Sequence, residues 1–499
     1  MPSSQQVHLA VDLGASGGRV LAGRFSGRRL ALDEVYRFTN GPITANGTMF
    51  WDVLRLWEDV QTGLMAAGEG YGASVASVGA DTWGVDYALL GRNDELLANP
   101  VHYRDKRTVG MMEAAFDVMP RREIFDATGL QFMELNTLYQ LFAQRRAESV
   151  TLEMAERLLL MPDIFHWLLS GEKANERTHA STTQCYSPMT GGWCTELLER
   201  FDIPTKIFGD IVDPGATLGP LQRGVAEATG LAGVSVVVPG AHDTASAVMA
   251  APTLKPVTDK PNWVYISSGT WSLMGAEVPQ PIVNDDCVRF NFTNEGGVGG
   301  TIRLLKNIAG LWLIQECRRM WSLAGKDYTW EQLVLLAEKA PPLVSLVNPD
   351  AAIFTAPKDM PGAIAEYCKI TTQPGPESEG AFVRCCLESL ALRYRSVLNM
   401  VETLTGSTIE TIHIMGGGVQ NTALCQMAAD ACRRRVVAGP VEATAIGNLM
   451  MQVIASGEVA NIAEARQIIR NSFPVQEYTP DNPEPYDEAY ERFERLIAS

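Results

Sequence analysis

With 499 residues the chain is long enough for about three average domains or two large ones, each able to bury its own core, and a disordered protein is not expected. Its 58 acidic residues against 41 Lys and Arg leave a formal charge of -17, which repels nucleic-acid phosphates and anionic membrane surfaces. Any phosphate-bearing ligand therefore has to be held by local dipoles or a metal ion. The sequence has no apolar run of about 20 residues, no leader-like apolar core and, among nine cysteines, no CxxC or Cys/His framework. These features predict a reduced, cytoplasmic protein without nucleic-acid or membrane partners.

In chain order, "VHLAVDLG" is an apolar strand ending near Asp12, followed by the small-residue turn "GASGG" and the apolar run "RVLAGRF". That pattern predicts a hairpin. The turn has almost no side-chain bulk, so backbone N–H groups can approach an anion, and Arg19 adds charge. An ordinary tight hairpin is the competing reading. Asp12 is costly to bury without a partner, and a hydrated magnesium ion is one such partner. Further on, "RLALDEVYRF" and "SVASVGADTWGVDYALL" read as strand material and "VLRLWEDVQTGLMAAG" as a helix. The alternation indicates an α/β layer structure. Arg104, Asp105 and Arg107 form either an ion-paired loop or a ligand contact, and Asp81 and Asp86 share that ambiguity.

The buried strand "VSVVVP" runs into "GAHDTASAV", residues 240–248, which sets Asp243 at a strand's carboxyl end. Ligand sites of open α/β sheets collect there, whereas the competing role for Asp243 is to cap the helix that "TASAVMAA" begins. The proline-broken stretch 251–261 is taken as a junction between domains at 1–250 and 262–474, with a C-terminal helix over 475–499. After it, "NWVYISSGTWSLMGAEV" repeats the opening pattern and offers hydroxyls from Ser267, Ser268 and Thr270. Two phosphate-sized turns, one per half, are the expectation. Next, "TIHIMGGGVQNTALCQMAADAC" reads as strand, triple-glycine turn and helix. It lacks the spacing of a dinucleotide fingerprint and suits close backbone approach to an adenosine.

Together "VDLGASGGR", "GAHDTASAV", "YISSGTWSLMG" and "IMGGGVQN" resemble the FGGY family of carbohydrate kinases, nearly end to end. The resemblance implies two RNase H-like (actin-like ATPase) domains flanking an interdomain cleft, and an ATP- and Mg²⁺-dependent sugar kinase. Ala15, Ser16, Gly17, Gly18 and Arg19 would then hold ATP phosphates, with Thr270, Gln315 and Gly417 beside the nucleotide. Gly84, His242, Thr244 and Asn307 would line the sugar pocket around Asp243, the proton acceptor, and Asp12 would meet the metal through water. Asn307 and Gln315, at i and i+8, are expected within about 80° of each other on one helix. Relatives often carry serine at Gly17 and cysteine at Val419; where a serine hydroxyl would meet phosphate, a backbone N–H can replace it here. The blocks "DTWGVDY", "HDTAS" and "LKNIAGLW" resemble one branch of that family, and this resemblance implies L-rhamnulose phosphorylated at C1 as the substrate, with L-fuculose as the rival. Trp83 would either wall the pocket or pack in the core. A nucleotide-switched sugar sensor on the same fold is the alternative from another class, although no DNA-binding head or peptide-binding extension is read in the chain.

Overall fold

The opening hairpin sets the layout of the first sheet. Strands Gln6–Gly14 and Gly17–Phe25 pair antiparallel, with Ala15 and Ser16 as the two-residue turn. Leu30–Thr39 extends the sheet antiparallel on one side, and Val75–Thr82 pairs parallel on the other. Ser235–Val237 then adds in parallel and Thr217–Pro220 closes the edge antiparallel. The first strand is covered on both faces, which explains its unbroken apolar run. Helix Val53–Tyr71 begins where Asp52 accepts from the Arg55 amide. It buries Val53, Leu56, Val60, Leu64 and Ala67, spaced three and four apart.

The second sheet repeats this order. Trp263–Ser268 and Trp271–Val278 form the antiparallel hairpin, and Ile302–Ala309 lies next to the second of them. Thr411–Met415 pairs parallel with the first, Arg435–Ala438 follows in parallel, and Gln476–Tyr478 closes the edge antiparallel. Helix Thr422–Cys432 connects the two parallel strands, and helix Glu484–Ala498 ends the chain's described part. The pattern echo between the two hairpins is therefore a repeat of topology.

The computed structural model describes residues 6–355 and 357–498. The first unit comprises the chain up to Val257, Val278–Leu304 and Ala443–Phe473; the second comprises Thr258–Glu277, Leu305–Glu442 and the chain from Pro474. Neither is a single run of sequence. Helix Ala443–Ala455 explains its own membership of the first unit. Its Asn448 donates to the Gly79 carbonyl (3.1 Å) and to Asp81 Oδ2 (2.6 Å), and Gln452 donates to the Leu9 carbonyl (2.9 Å). Among the described residues no helix is long and apolar enough to cross a membrane, and all nine cysteines are free thiols.

The single helix expected to carry Asn307 and Gln315 does not form. Asn307 lies in strand Ile302–Ala309 and Gln315 in helix Trp312–Leu323. Between them Gly310 packs so tightly that a Cβ would fall 2.6 Å from the Trp271 carbonyl carbon. The tertiary contact breaks the helical spacing.

Gly447 makes the docking of helix Ala443–Ala455 testable, because a Cβ there would lie 1.8 Å from the Ser246 carbonyl oxygen. In an isolated helix Gly→Ala is worth about 1 kcal/mol of added stability. Here Gly447→Ala should instead cost about 2 to 3 kcal/mol through overpacking. An unchanged or raised denaturation midpoint would contradict this packing.

Candidate active site

Parallel pairing of Gln6–Gly14 with Val75–Thr82 sets Asp12 opposite Asp81 at the carboxyl ends of both strands. Asp12 is met across the hairpin by Arg19, whose Nη2 lies 2.5 Å from Oδ2. Asp81 is fully buried; its Oδ2 accepts from Asn448, while its Oδ1 accepts no hydrogen bond among the described residues. Burial and then the charge of Asp12 push Asp81 well above the usual carboxylate range, against the pull of the Asn448 bond.

The same sheet end positions Asp243. The Thr82 amide donates to the Ala241 carbonyl (3.0 Å), and Thr82 and His242 form a parallel bridge, so helix Asp243–Met249 starts beside the two acids. His242 occupies the cap position; Asp243 is the first helical residue and does not cap the helix. Its Oδ1 accepts from the Thr244 amide (2.5 Å) and hydroxyl (3.1 Å) and lies 3.4 Å from His242 Nε2. Oδ2 accepts no hydrogen bond among the described residues, and the side chain is 33% exposed, which leaves that oxygen reachable. Burial raises the Asp243 pKa; His242 opposes the shift and Asp12 adds to it.

Behind this acid stands a buried support that the sequence reading missed. Glu176 accepts from the Ala241 amide (3.1 Å), the His179 amide (3.0 Å) and both donors of Thr178, whose hydroxyl in turn accepts from the His242 amide (3.2 Å). Arg303 Nη2 lies 3.1 Å from His242 Nδ1 and from Glu295 Oε2. Gly84 is next to His242: a Cβ there would fall 3.3 Å from Nε2 and 3.4 Å from the Thr182 hydroxyl. Gly84, His242, Asp243 and Thr244 are thus brought together, as expected, with Thr182 as an unforeseen neighbour. The only sequence signal for Glu295 and Arg303 was a pair of charges flanking the turn "GGVGGT", a pattern that surface hairpins share.

Other expectations shift. Trp83 packs tilted against Trp51 with centroids 4.0 Å apart and donates from Nε1 to Asp86 Oδ2 (3.0 Å), so its indole belongs to the core. Asp86 also accepts from Trp51 Nε1 (2.6 Å) and Gln140 (3.0 Å); burial raises its pKa to about 6 against these bonds. Asp105 accepts from the Met49 and Arg107 amides, and Arg107 donates to Gln140, which makes this segment a loop brace. Arg104 stacks over the Tyr103 ring.

The small residues of the hairpin turns also divide by role. Gly18 is required by packing, since a Cβ would meet the Phe38 ring at 2.4 Å; Gly17 sits against the Phe38 carbonyl. Only Ala15 and Ser16 form the turn itself. In the second unit, Gly418 leaves room for Ser268, whose hydroxyl a Cβ would meet at 2.0 Å, and Gly416 adopts a left-handed φ of 85°. Gly417 faces open space. The Thr270 carbonyl accepts from the Gly310 and Trp312 amides, which ties this hairpin to the helix carrying Gln315.

The N-terminal domain of the FGGY family of carbohydrate kinases matches residues 7–250, and its C-terminal domain matches residues 264–456. The rhamnulokinase of Bacteroides thetaiotaomicron is 44% identical over 493 residues, covering 99% of this chain and 100% of that protein. The rhamnulokinase of Bacillus subtilis is 39% identical, with 95% of each chain covered. Among solved structures, a xylulose kinase from Lactobacillus acidophilus superposes with a TM-score of 0.80 at 15% identity, covering 99% of this chain and 97% of that one. A Plasmodium falciparum glycerol kinase with ADP gives 0.74 at 12% identity, over 99% and 98%. These structures share the mixed α/β two-domain fold.

Glu176 supplies the test of this support. Burial, opposed by its Thr178 and His179 bonds, raises its pKa from 4.5 to about 7. The folded chain therefore keeps a proton that the unfolded chain has released, and stability falls as pH rises from about 4.5 through about 7. Glu176→Gln should remove that fall, so the variant's calorimetric Tm should gain on the wild type across this window. Parallel pH profiles would contradict the buried-acid reading.

Proposed function

The chain belongs to the FGGY family of carbohydrate kinases, and from that premise we propose that it transfers the γ-phosphoryl group of ATP to the C1 hydroxyl of L-rhamnulose. The observation that carries the reading is the state of Asp243: one oxygen held by the Thr244 amide and hydroxyl with His242 Nε2 3.4 Å away, the other open, at the carboxyl end of the sheet. Phosphoryl transfer asks for positioning and charge stabilisation, together with a group that orients the acceptor hydroxyl and takes its proton. Asp243 Oδ2 is that group here. Packing that raises its pKa makes it a better proton acceptor than a fully solvated aspartate.

Around it, the Thr244 hydroxyl, whose proton goes to Asp243 Oδ1, keeps acceptor lone pairs for a sugar hydroxyl, and His242 and Gly84 line the same side. The turn Ala15–Ser16, with Gly17, Gly18 and Arg19, is the phosphate side of the first unit. Because Arg19 is paired with Asp12, it reaches phosphate as part of that pair and not as an isolated cation. From the second unit, Thr270, Gln315 and the open Gly417 are the nucleotide contacts of this reading, and Asn307 is its remaining sugar contact.

A divalent cation fits the first unit's chemistry in one form only. Among the described residues no three His, Cys, Asp or Glu side chains cluster tightly enough to cage a metal. Asp12 and the unsatisfied Asp81 Oδ1 offer hard oxygen atoms, the donor type Mg²⁺ takes while keeping several waters. Asp12 would hold it through water, and the bound ion would supply charge neutralisation on the phosphate oxygens. Relatives named rhamnulokinase, 38–44% identical over nearly the whole chain, support the substrate. An ATP donor and nine free thiols suit a cytoplasmic enzyme.

An ADP-release assay across L-rhamnulose, L-fuculose, L-ribulose, D-xylulose and glycerol should give the highest kcat/KM for L-rhamnulose. A higher value for another acceptor would overturn the substrate and leave the kinase intact. Asp243→Asn should keep the fold and ATP binding while kcat falls at least about a hundredfold. Near-wild-type turnover in that variant would remove Asp243 from the chemistry.

A further inference from the structure

Two charges that the transfer step does not itself use are buried behind His242. Arg303 is wholly inaccessible to solvent, and Glu295 is nearly so. A buried ion pair is often no more stabilising than two apolar side chains of similar size, so stability alone does not account for it. Its geometry supplies a role.

Arg303 is anchored through Nε, which donates to the Gly296 carbonyl (2.8 Å), and this directs Nη2 at His242 Nδ1 (3.1 Å); Glu295 Oε2 lies 3.1 Å from the same nitrogen as an ion-pair partner and accepts no hydrogen bond among the described residues. A guanidinium has donors and no acceptor. Nδ1 of His242 must therefore accept, and the neutral ring carries its proton on Nε2. That nitrogen faces Asp243 Oδ1 at 3.4 Å. Burial would raise Glu295, yet the charge of Arg303 holds it below the usual carboxylate range, so it stays charged as the guanidinium's counter-ion. Without Arg303 the arrangement inverts. Glu295 Oε2 lies 3.3 Å from Nδ1 and would draw the ring proton there, leaving the Nε2 lone pair opposed to the Asp243 carboxylate.

We propose that Glu295 and Arg303 are positioning residues for phosphoryl transfer: they select the Nε2–H tautomer of His242, which with Thr244 engages Oδ1 of Asp243 and leaves Oδ2 toward the acceptor. The inference rests on the reading of Asp243 as the proton acceptor. It assigns the pair to kcat, through the orientation of one carboxylate, and not to nucleotide binding.

The test compares Arg303→Met, Glu295→Met, the double variant, Arg303→Lys and, as a reference, Asp243→Asn. Each single Met variant leaves one buried charge unpaired and should lower Tm; the double variant has none and should recover it. If the pair positions the base, the double variant still loses about ten- to a hundredfold in kcat, with KM for ATP within about threefold of wild type. Arg303→Lys, which keeps a charged donor, should retain more turnover than Arg303→Met. With only six histidines in the chain, ¹⁵N labelling resolves His242, whose protonated nitrogen should move from Nε2 to Nδ1 in Arg303→Met. Recovery of kcat together with Tm in the double variant, or an unchanged tautomer in Arg303→Met, would overturn the proposal. If Asp243→Asn loses turnover while the double variant keeps it, this inference alone fails. Full turnover in Asp243→Asn would remove the reading on which it rests.

Discussion

The carboxyl ends of two parallel strands in the first unit carry Asp12 and Asp81 side by side, and the helix that follows brings Asp243 to the same place. Like charges this close are tolerated only if each is met by a specific donor or holds its proton. Arg19 answers for Asp12, Asn448 for half of Asp81, and Thr244 with His242 for half of Asp243. Much of the surrounding architecture serves this requirement. Helix Ala443–Ala455 is drawn into the first unit to deliver Asn448, and Glu176 fixes the backbone that leads to His242.

The two sheets share the same order of hairpin, parallel strands and antiparallel closing strand, yet only the first is charged at this point. Where the first hairpin has Asp12 two residues before Gly14, the second has Ser267 two residues before Gly269. A topology that appears twice has thus been given two chemistries. Acids that suit a cation and an acceptor hydroxyl lie in one unit. Hydroxyls and glycines that suit close backbone approach lie in the other. Function belongs to these strand ends rather than to the fold that presents them.

Local pattern made the hairpins, the helix Val53–Tyr71 and the strand-to-helix turn at Asp243 legible, because apolar spacing and small-residue turns are properties of neighbours in sequence. What depended on distant contacts was not legible. The segment around Asn307 and Gln315 has helical spacing, but close packing of Gly310 on the Trp271 hairpin splits it into strand and helix. Gly18, read from sequence as a phosphate-turn residue, has also to admit the Phe38 ring, a packing demand that no local pattern announces. Trp83 looked equally suited to a pocket wall until Asp86 and Trp51 accounted for its nitrogen and its face. Glu295 and Arg303 meet His242 from about fifty to sixty residues away in sequence, a separation across which no spacing rule operates.

In the proposed reaction the open oxygen of Asp243 receives the acceptor proton. A structure of the chain with L-rhamnulose and a non-hydrolysable ATP analogue tests it most directly. The C1 hydroxyl oxygen should lie within about 2.6 to 3.2 Å of Asp243 Oδ2, with Oδ1 still engaged by Thr244. A C1 hydroxyl held by any other group, or one approaching Oδ1 after loss of the Thr244 bonds, would contradict it.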